Sequence, residues 1–257
     1  MTNKTAKKTR LDHLLVARGL AETRSKAQAL IMAGAVFSGE QRLDKPGHQV
    51  SPDSKVFVRD KEHPWASRGG LKLHHALKHF GITVQDLFAI DIGASTGGFT
   101  DVLLAEGVAQ VYAVDVGYGQ LASRIRDDDR VEVLERTNAR YLTADHVPEL
   151  VDLVVCDASF IGLRTVLPAA LDRTKPYAAA IALIKPQFEV GKDHVGKKGV
   201  VRDPELHREV CLSISEWFES LSGWHVVGVI ESPIKGNGGN KEFLIYAHKT
   251  EQIFPSG

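Results

Sequence analysis

The sequence predicts an α/β protein of the Rossmann type, with about seven strands in one mostly parallel sheet and a small α+β module before it. Short apolar runs alternate with polar, helix-compatible segments over most of the chain. A strand, a glycine-rich turn and a helix follow one another from residue 87 to residue 106. Residues 1–68 carry 13 Lys and Arg against 7 Asp and Glu, whereas the remainder carries 19 against 25. This asymmetry predicts a basic module joined to an acidic one.

Composition limits the classes of protein to consider. A chain of 257 residues has room for one large and one small domain. Its longest wholly apolar run, Tyr177 to Ile184, is too short to cross a bilayer. No apolar stretch follows the basic first ten residues, so we expect no secretory signal. Cys156 and Cys211 lie outside any metal-ligand spacing, which predicts no metal site and favours a reducing cytoplasm.

The first module is predicted to contain two short helices followed by strands. Leu11, Leu14 and Leu15 share one helical face, and Gly19 ends that helix. Thr23 is placed to cap the second helix. The alternating V-F-V that follows the turn residues predicts a strand. We assign residues 1–60 to this domain, 61–67 to a linker and 68–257 to the larger domain.

The glycine-rich turn predicts a cofactor site. Asp91 ends an apolar strand, and Gly93, Gly97 and Gly98 follow in the spacing G-x-x-x-G-G. This spacing is neither the dinucleotide fingerprint nor a P-loop. Asp115 ends the next apolar run, where an acid meets ribose hydroxyls in such folds. Two acids without a phosphate cradle indicate a nucleoside with an amino-acid tail, such as S-adenosylmethionine, although a ligand-free turn has the same spacing.

The remaining elements continue the alternation. A helix is predicted from its cap at Asp203 to Gly223, with apolar residues three and four apart. The last two strands are joined by the glycine-rich loop 232–241, which is compatible with an antiparallel final pairing. The apolar runs predicted as strands are 87–90, 111–114, 131–134, 151–156, 178–184, 226–230 and 243–247.

Three polar residues lie at predicted strand ends, where α/β proteins build their sites. Asp157 and Lys185 each follow a buried strand, and Glu242 precedes the last one. Taken singly, each is equally well explained as a solvated or paired residue at a strand end. An antiparallel last strand would bring all three to one edge, with Lys72 available nearby.

Residues 8–60 closely resemble the small RNA-binding domain named after ribosomal protein S4. The resemblance is carried by R-L-D at Arg10, by R-G at Arg18 and by R-S-K-A at Arg24. It implies a surface that contacts RNA phosphate and shape more than base sequence. Together with Arg68, at the start of the larger domain, the residues expected to face RNA are Arg10, Arg18, Arg24, Ser25 and Lys26.

Residues 67–246 resemble the FtsJ-like ribose 2′-O-methyltransferases, through S-R-G-G-L-K-L, C-D-A-S-F, I-K-P-Q-F-E and K-E-F-L-I. Their catalytic set, Lys-Asp-Lys-Glu, corresponds to Lys72, Asp157, Lys185 and Glu242. With the basic module added, the whole chain resembles the haemolysin-A-like (TlyA) family of ribosomal RNA methyltransferases. The resemblance implies a class I methyltransferase fold, S-adenosylmethionine as donor, and a ribose 2′-hydroxyl, often of cytidine, as acceptor. Ribosomal RNA or ribosomal subunits are the implied partners, without stable membrane insertion.

Further roles follow from the same resemblance. The residues expected to contact the cofactor are Asp91, Gly93, Ala94, Ser95, Gly97, Gly98, Phe99, Thr100, Asp115 and Asn138. Lys185 is expected to touch the acceptor hydroxyl, either as an orienting ammonium or as a base, because Lys72 and the two carboxylates act on it in opposite directions. Additional basic residues fit RNA clamping and ordinary solvation equally well: Arg124, Arg126, Lys192, Lys197, Lys198 and Lys235.

Two alternatives to the enzyme stay open from sequence. One is an RNA-binding ribosome-assembly factor with little or no methylation, which the intact set of four charged residues disfavours. The other is a membrane-active haemolysin, which the shortness of the apolar runs disfavours.

Overall fold

The computed structural model describes residues 8–32, 34–58, 63–191, 196 and 199–250. The chain divides into two compact units, Met1–Pro64 and Trp65–Gly257. The division falls within the segment 61–67 that we predicted as a linker. Each unit has a hydrophobic core of its own and is described separately.

The smaller unit is α+β, as predicted. Leu11, Leu15 and Ile31 are fully buried in its core, which explains the leucine spacing of the first helix. The Thr23 hydroxyl accepts a hydrogen bond from the Lys26 N–H at 3.2 Å, so the predicted cap of the second helix is confirmed. The elements are β1 (Thr9–Arg10), α1 (Leu11–Ala17), α2 (Arg24–Met32), β2 (Val36–Ser38), β3 (Gln41–Arg42), β4 (Gln49–Val50) and β5 (Val56–Val58). β3, β2 and β5 form one antiparallel sheet, and β1 pairs with β4.

Within the described residues, the larger unit is built on a seven-stranded sheet in the order β11-β12-β10-β9-β6-β7-β8. Strands β6 to β10 run parallel, and β12 pairs antiparallel with both β10 and β11. The predicted mostly parallel sheet and its antiparallel final pairing are therefore confirmed. The strands are β6 (Phe88–Ile92), β7 (Gln110–Val114), β8 (Val131–Leu134), β9 (Val151–Cys156), β10 (Thr174–Ile184), β11 (Trp224–Glu231) and β12 (Phe243–Lys249).

Helices cover both faces of this sheet. Because successive side chains of a strand point to opposite faces, Ala89 packs with α3 and α4, whereas its neighbour Ile90 packs in the cluster that contains α9. Burial on both sides explains why the central strands are almost continuously apolar. The helices are α3 (Gly69–Phe80), α4 (Gly98–Ala105), α5 (Ser123–Arg126), α6 (Leu163–Val166), α7 (Pro168–Leu171), α8 (Pro186–Glu189) and α9 (Pro204–Glu219).

Helix α9 begins where the sequence predicts and ends earlier. The Asp203 side chain accepts a hydrogen bond from the Glu205 N–H at 2.9 Å, which confirms the predicted cap. The helix ends at Glu219 instead of continuing to Gly223. Residues 220–223 turn into β11, since Gly223 has a φ of +77° and its carbonyl accepts from the Thr250 N–H at 2.8 Å. The apolar spacing continued into this turn and extended the prediction too far.

The topology brings several loops to one edge of the sheet. The parallel strands β6, β7, β9 and β10 all end there, and the antiparallel β12 begins there. The prediction that Glu242 shares this edge with Asp157 and Lys185 is confirmed, because ion pairs join all three to Lys72 or to one another.

Candidate active site

The turn between β6 and α4 requires its small residues. Gly93 has a φ of +80°, and a Cβ added there would lie 2.9 Å from the Ala158 Cα and N atoms. At Gly97, with a φ of +93°, a Cβ would lie 2.5 Å from the Ile125 Cδ1 atom. A side chain at either position would push the turn away from its neighbours. The glycines therefore allow both the left-handed backbone and the close packing.

Asp115 ties this turn to the end of β7. One carboxylate oxygen accepts from the Ser95 N–H at 2.8 Å, and the other accepts from the Gly117 N–H at 2.7 Å. Ser95 itself has a φ of +49°, an uncommon conformation for a residue with a side chain. Because a carboxylate offers about four acceptor positions, Asp115 keeps capacity for further donors.

A cavity of about 600 Å³ lies at this edge of the sheet. Its lining combines apolar side chains with a few polar groups, as small-molecule sites do. Its apolar lining includes Ile92, Val114, Val116 and Ala139. Of the residues predicted to contact the cofactor, those that line the cavity are Gly93, Ser95, Asp115 and Asn138.

The other predicted cofactor residues lie behind this lining. Phe99 is 3% exposed and packs in the core between α3, α4 and the sheet. The Thr100 hydroxyl donates to Asp91 Oδ2 at 2.6 Å, and both side chains are buried. A Cβ on Gly98 would overlap the Ser67 hydroxyl. Ala94 and Gly97 belong to the turn itself and are likewise outside the lining.

Asp91 is an unusual buried acid. Its side chain is inaccessible, and among the described residues its Oδ1 atom has no hydrogen-bond partner. Burial raises the pKa of this carboxyl to about 7, against the hydrogen bond from Thr100, and the charges of Asp157 and Asp115 raise it further. Asp91 directly precedes Ile92 and Gly93, which line the cavity, and its unpartnered oxygen leaves an acceptor that a cationic or N–H-bearing ligand would satisfy.

The four predicted catalytic residues form one chain of ion pairs. Helix α3 buries the face that carries Lys72, and Lys72 Nζ lies 2.8 Å from Glu242 Oε2 and 3.2 Å from Asp157 Oδ2. Lys185 Nζ lies 2.7 Å from Asp157 Oδ1. Two ammonium groups and two carboxylates thus balance in charge at the cavity, where Asp157 forms part of the lining.

Burial makes this pairing necessary. Lys72, Lys185 and Glu242 are 7%, 5% and 3% exposed, and isolated charges at that depth would be strongly unfavourable. Glu242 is also confined from one side, since a Cβ on Gly236 would overlap its Oε1 atom. The glycine-rich loop before β12 therefore packs directly against the Glu242 carboxylate.

Ser159 and Phe160 are among the lining residues that were not singled out from sequence. Ser159 Oγ accepts a hydrogen bond from Lys185 Nζ at 2.7 Å. Phe160 is 87% exposed at a φ of +65°, with its ring centroid 5.2 Å from that of Phe188. Both line the cavity. Their position directly after Asp157, in the loop that follows β9, is the signal that would have indicated them.

In the smaller unit, the predicted RNA-facing arginines also have internal partners. Asp12 is fully buried and accepts hydrogen bonds from Arg10 at 2.8 and 3.0 Å and from Arg24 at 3.1 Å. The Arg10 hydrogen bond is the largest cause that holds the Asp12 pKa well below its usual range. The Arg18 guanidinium donates to the backbone carbonyls of residues 52 and 54. These contacts fix the directions of the guanidinium groups, which stay partly exposed.

The other predicted RNA-contacting residues occupy varied positions. Ser25 and Lys26 are exposed on α2, and Arg68 is exposed at the start of α3. Among the candidates for clamping, Arg124 pairs with Asp101 and Arg126 pairs with Glu135. Lys235 is exposed in the loop before β12. Lys192, Lys197 and Lys198 lie outside the described residues.

Two family models match this chain. A family model described as FtsJ-like methyltransferase matches residues 65–249. The chain belongs to the FtsJ-like methyltransferase family. A second model, described as the S4 domain, matches residues 9–56. The two matches correspond to the two units of the structure.

Individual relatives refine the family. The chain is 49% identical over 242 residues to the 16S/23S rRNA (cytidine-2′-O)-methyltransferase TlyA of Mycobacterium tuberculosis, covering 94% of this chain and 90% of the relative. It is 37% identical over 239 residues to Hemolysin A of Brachyspira hyodysenteriae, covering 92% and 98%. A solved structure of a candidate haemolysin from Streptococcus thermophilus aligns with a TM-score of 0.73 at 40% identity, covering 96% and 92%. The FtsJ-like enzyme therefore falls in the TlyA and haemolysin A group. None of the described helices combines the length and apolarity that a membrane span requires.

Proposed function

We propose that this protein transfers the methyl group of S-adenosylmethionine to a ribose 2′-hydroxyl of ribosomal RNA, with cytidine as the expected nucleotide. The observation that carries the proposal is the buried chain of ion pairs from Glu242 through Lys72 and Asp157 to Lys185, beside the cavity. The name of the 49%-identical TlyA relative supports the same reaction, and the S4 domain supports RNA as the substrate.

The residues at the cavity fit S-adenosylmethionine. Asp115 faces the cavity with acceptor capacity for the ribose hydroxyls, and the apolar side chains of Val114 and Val116 suit the adenine. Behind the lining, the unpartnered Asp91 Oδ1 next to Gly93 suits the cationic amino-acid end. When bound, the cofactor supplies a methyl group on a positively charged sulfur. Acidic residues at the lining therefore favour its binding electrostatically.

Lys185 is the residue that we expect to hold the acceptor hydroxyl. Three oxygen atoms lie within 3.1 Å of its Nζ atom: two accept hydrogen bonds, and the third, Asp157 Oδ1, forms an ion pair that suits a charged ammonium. An ammonium orients the hydroxyl oxygen and stabilises the negative charge that develops on it. Of the two possibilities that the sequence left open, this arrangement favours the orienting ammonium over the base.

The hydroxyl proton must leave as the new C–O bond forms. Asp157 is the carboxylate beside Lys185 Nζ, and we assign it to receive that proton. Lys72 and Glu242 then act by holding Asp157 and by keeping the site neutral overall. Alignment of the donor carbon with the acceptor oxygen supplies much of the rate in such a displacement.

The test is transfer of a labelled methyl group from S-adenosylmethionine to isolated ribosomal subunits. We expect label in the RNA, recovered after alkaline hydrolysis as a resistant dinucleotide, because a methylated 2′-oxygen cannot attack the adjacent phosphate. Cofactor binding without transfer to either subunit would contradict the proposal and favour the assembly factor. Release of dye from lipid vesicles by the purified protein would instead support the membrane-active alternative.

A further inference from the structure

The Lys185 ammonium lies among oxygen atoms of the protein itself. Its Nζ atom donates to the Asp157 backbone carbonyl at 3.1 Å and to Ser159 Oγ at 2.7 Å, and it forms an ion pair with Asp157 Oδ1 at 2.7 Å. The contacts with the backbone carbonyl and with Ser159 are hydrogen bonds, whereas the contact with Asp157 Oδ1 is an ion pair without hydrogen-bond geometry. Lys185 is 5% exposed, and Asp157 and Ser159 lie in the cavity lining beside it. A substrate hydroxyl that enters from the cavity therefore has to take the place of one of these oxygen atoms.

Ser159 differs from the other two oxygen atoms around Lys185 in its exposure and in its lack of charge. It is an exposed residue of the cavity lining, and its oxygen is neutral. Among the described residues, Lys185 is the only hydrogen-bond partner of its hydroxyl. It is also an aliphatic alcohol, the same functional group as a ribose hydroxyl. Exchange of one alcohol for another on the same ammonium is close to neutral in hydrogen-bond energy.

The other two oxygen atoms cannot withdraw from Lys185 as easily. Asp157 Oδ1 belongs to a carboxylate whose other oxygen pairs with Lys72 at 3.2 Å, so its withdrawal would break the buried chain of charges. The Asp157 carbonyl is part of the backbone, and the same residue's N–H donates to Ile92 at 3.0 Å. Ser159 needs only a rotation about χ1 to withdraw its oxygen.

We propose that Ser159 presents its hydroxyl to Lys185 as a placeholder for the acceptor hydroxyl, and that the ribose displaces it before methyl transfer. The inference rests on the proposed function and adds to it a positioning residue that acts through Lys185. Ser159 holds the ammonium beside the cavity lining while no substrate is present. It also competes with the substrate for the same donor.

The surrounding loop holds Ser159 in this place. At its start, the Asp157 N–H donates to Ile92, and at its end, the Leu163 N–H donates to Glu189 Oε1 at 2.8 Å. Phe160, the next residue, has a left-handed φ of +65°, which is unfavourable for a bulky side chain without such anchoring. A loop fixed at both ends leaves side-chain rotation as the simplest way to free Lys185.

The proposal is tested with full-length Ser159→Ala, Ser159→Thr and Ser159→Asp variants, using methyl transfer to ribosomal subunits at saturating S-adenosylmethionine. Removing the competing hydroxyl in Ser159→Ala should raise kcat/KM for the RNA by roughly two- to tenfold, because water replaces an acceptor tethered to the protein. Ser159→Thr retains the hydroxyl and should match the wild type. Ser159→Asp places a carboxylate on Lys185, and kcat/KM should fall at least about tenfold.

Affinity for S-adenosylmethionine and the melting temperature, measured for each variant, confirm that the fold and the cofactor site are intact. A fall of kcat/KM in Ser159→Ala would show that the hydroxyl assists the reaction, and an unchanged value would show that it does not compete. Either result overturns the placeholder role while the proposed function stands. Absence of transfer by the wild type would instead overturn the proposed function, and the placeholder role with it.

Discussion

Burial of the Asp91 carboxyl outweighs the hydrogen bond from Thr100 and raises its pKa to about 7. An unfolded chain ionises this group near pH 3.8, so between these values the folded protein holds one proton more. Stability is therefore fully present at low pH and falls as pH rises, by roughly 1.4 kcal/mol per unit up to about pH 7. In Asp91→Asn this dependence should disappear.

Unfolding in urea between pH 5 and pH 8 measures this difference. The three tryptophans, Trp65, Trp217 and Trp224, all lie in the larger unit, so their fluorescence follows the unit that contains Asp91. The stability of Asp91→Asn relative to the wild type should increase with pH and level off above pH 7. Parallel curves for the two proteins would show that Asp91 is not a raised-pKa acid.

The close contact between Gly236 and the Glu242 carboxylate leads to a second prediction. Any side chain there must displace the Glu242 carboxylate from its place beside Lys72. Gly236→Ala should therefore lower kcat by at least about tenfold, because the charge chain loses its geometry. Gly239→Ala is the control from the same loop: its Cβ meets nothing within 4 Å, although its φ of +89° adds backbone strain. Equal losses in both variants would assign the effect to a general disturbance of the loop instead of to Glu242.

The charged residues of the site could be predicted because Asp157, Lys185 and Glu242 each adjoin an apolar strand, and strand ends meet at one edge. The role of Ser159 could not, since its contact with Lys185 depends on the path of the loop after β9. The cofactor motif also included residues that do not line the cavity. Thr100 carries the motif in sequence, yet its hydroxyl is directed to Asp91 beneath the turn.

At the scale of elements, the β6 turn is the most sensitive to substitution. Gly93→Ala combines a left-handed φ of +80° with a backbone overlap at Ala158. We expect affinity for S-adenosylmethionine to fall at least about tenfold, since the overlap displaces the loop that lines the cavity. Titration calorimetry with the cofactor measures this loss.

Gly81→Ala is the matched control for that substitution. Gly81 has a φ of +65° at the end of α3, and its Cβ would meet nothing within 4 Å. It should lose about 1 kcal/mol of stability from backbone strain and keep its cofactor affinity. A comparable loss of affinity in both variants would contradict a specific role for the close approach at Ala158.

The strands were predictable because both faces of the central sheet are buried, so β9 and its neighbours appear as apolar runs in the sequence. Helix ends were less predictable. The apolar spacing of α9 continued to Leu221, but tertiary hydrogen bonds at Gly223 determine where the turn into β11 begins. β1 was missed because two residues paired with β4 leave no periodic signal.

For the whole molecule, separate cores predict separable functions. Asp12 directs Arg10 and Arg24 in the smaller unit, so Asp12→Ala should weaken RNA binding on the order of tenfold as phosphate contacts are lost. Affinity for S-adenosylmethionine and the tryptophan unfolding curve should stay unchanged. Filter binding of ribosomal RNA at fixed salt provides the first measurement. A change confined to cofactor affinity would contradict this division of roles.

The most direct test of the account is the single-turnover rate of methyl transfer by Lys185→Met at saturating cofactor and RNA. Lys175→Met is its control, because Lys175 lies near the other end of β10 and also pairs with one aspartate, Asp152, at 2.8 Å. We predict that Lys185→Met loses roughly 10²- to 10⁴-fold in rate with unchanged cofactor affinity, whereas Lys175→Met stays close to the wild type. Transfer by Lys185→Met at a rate near that of the wild type would contradict the central role of Lys185.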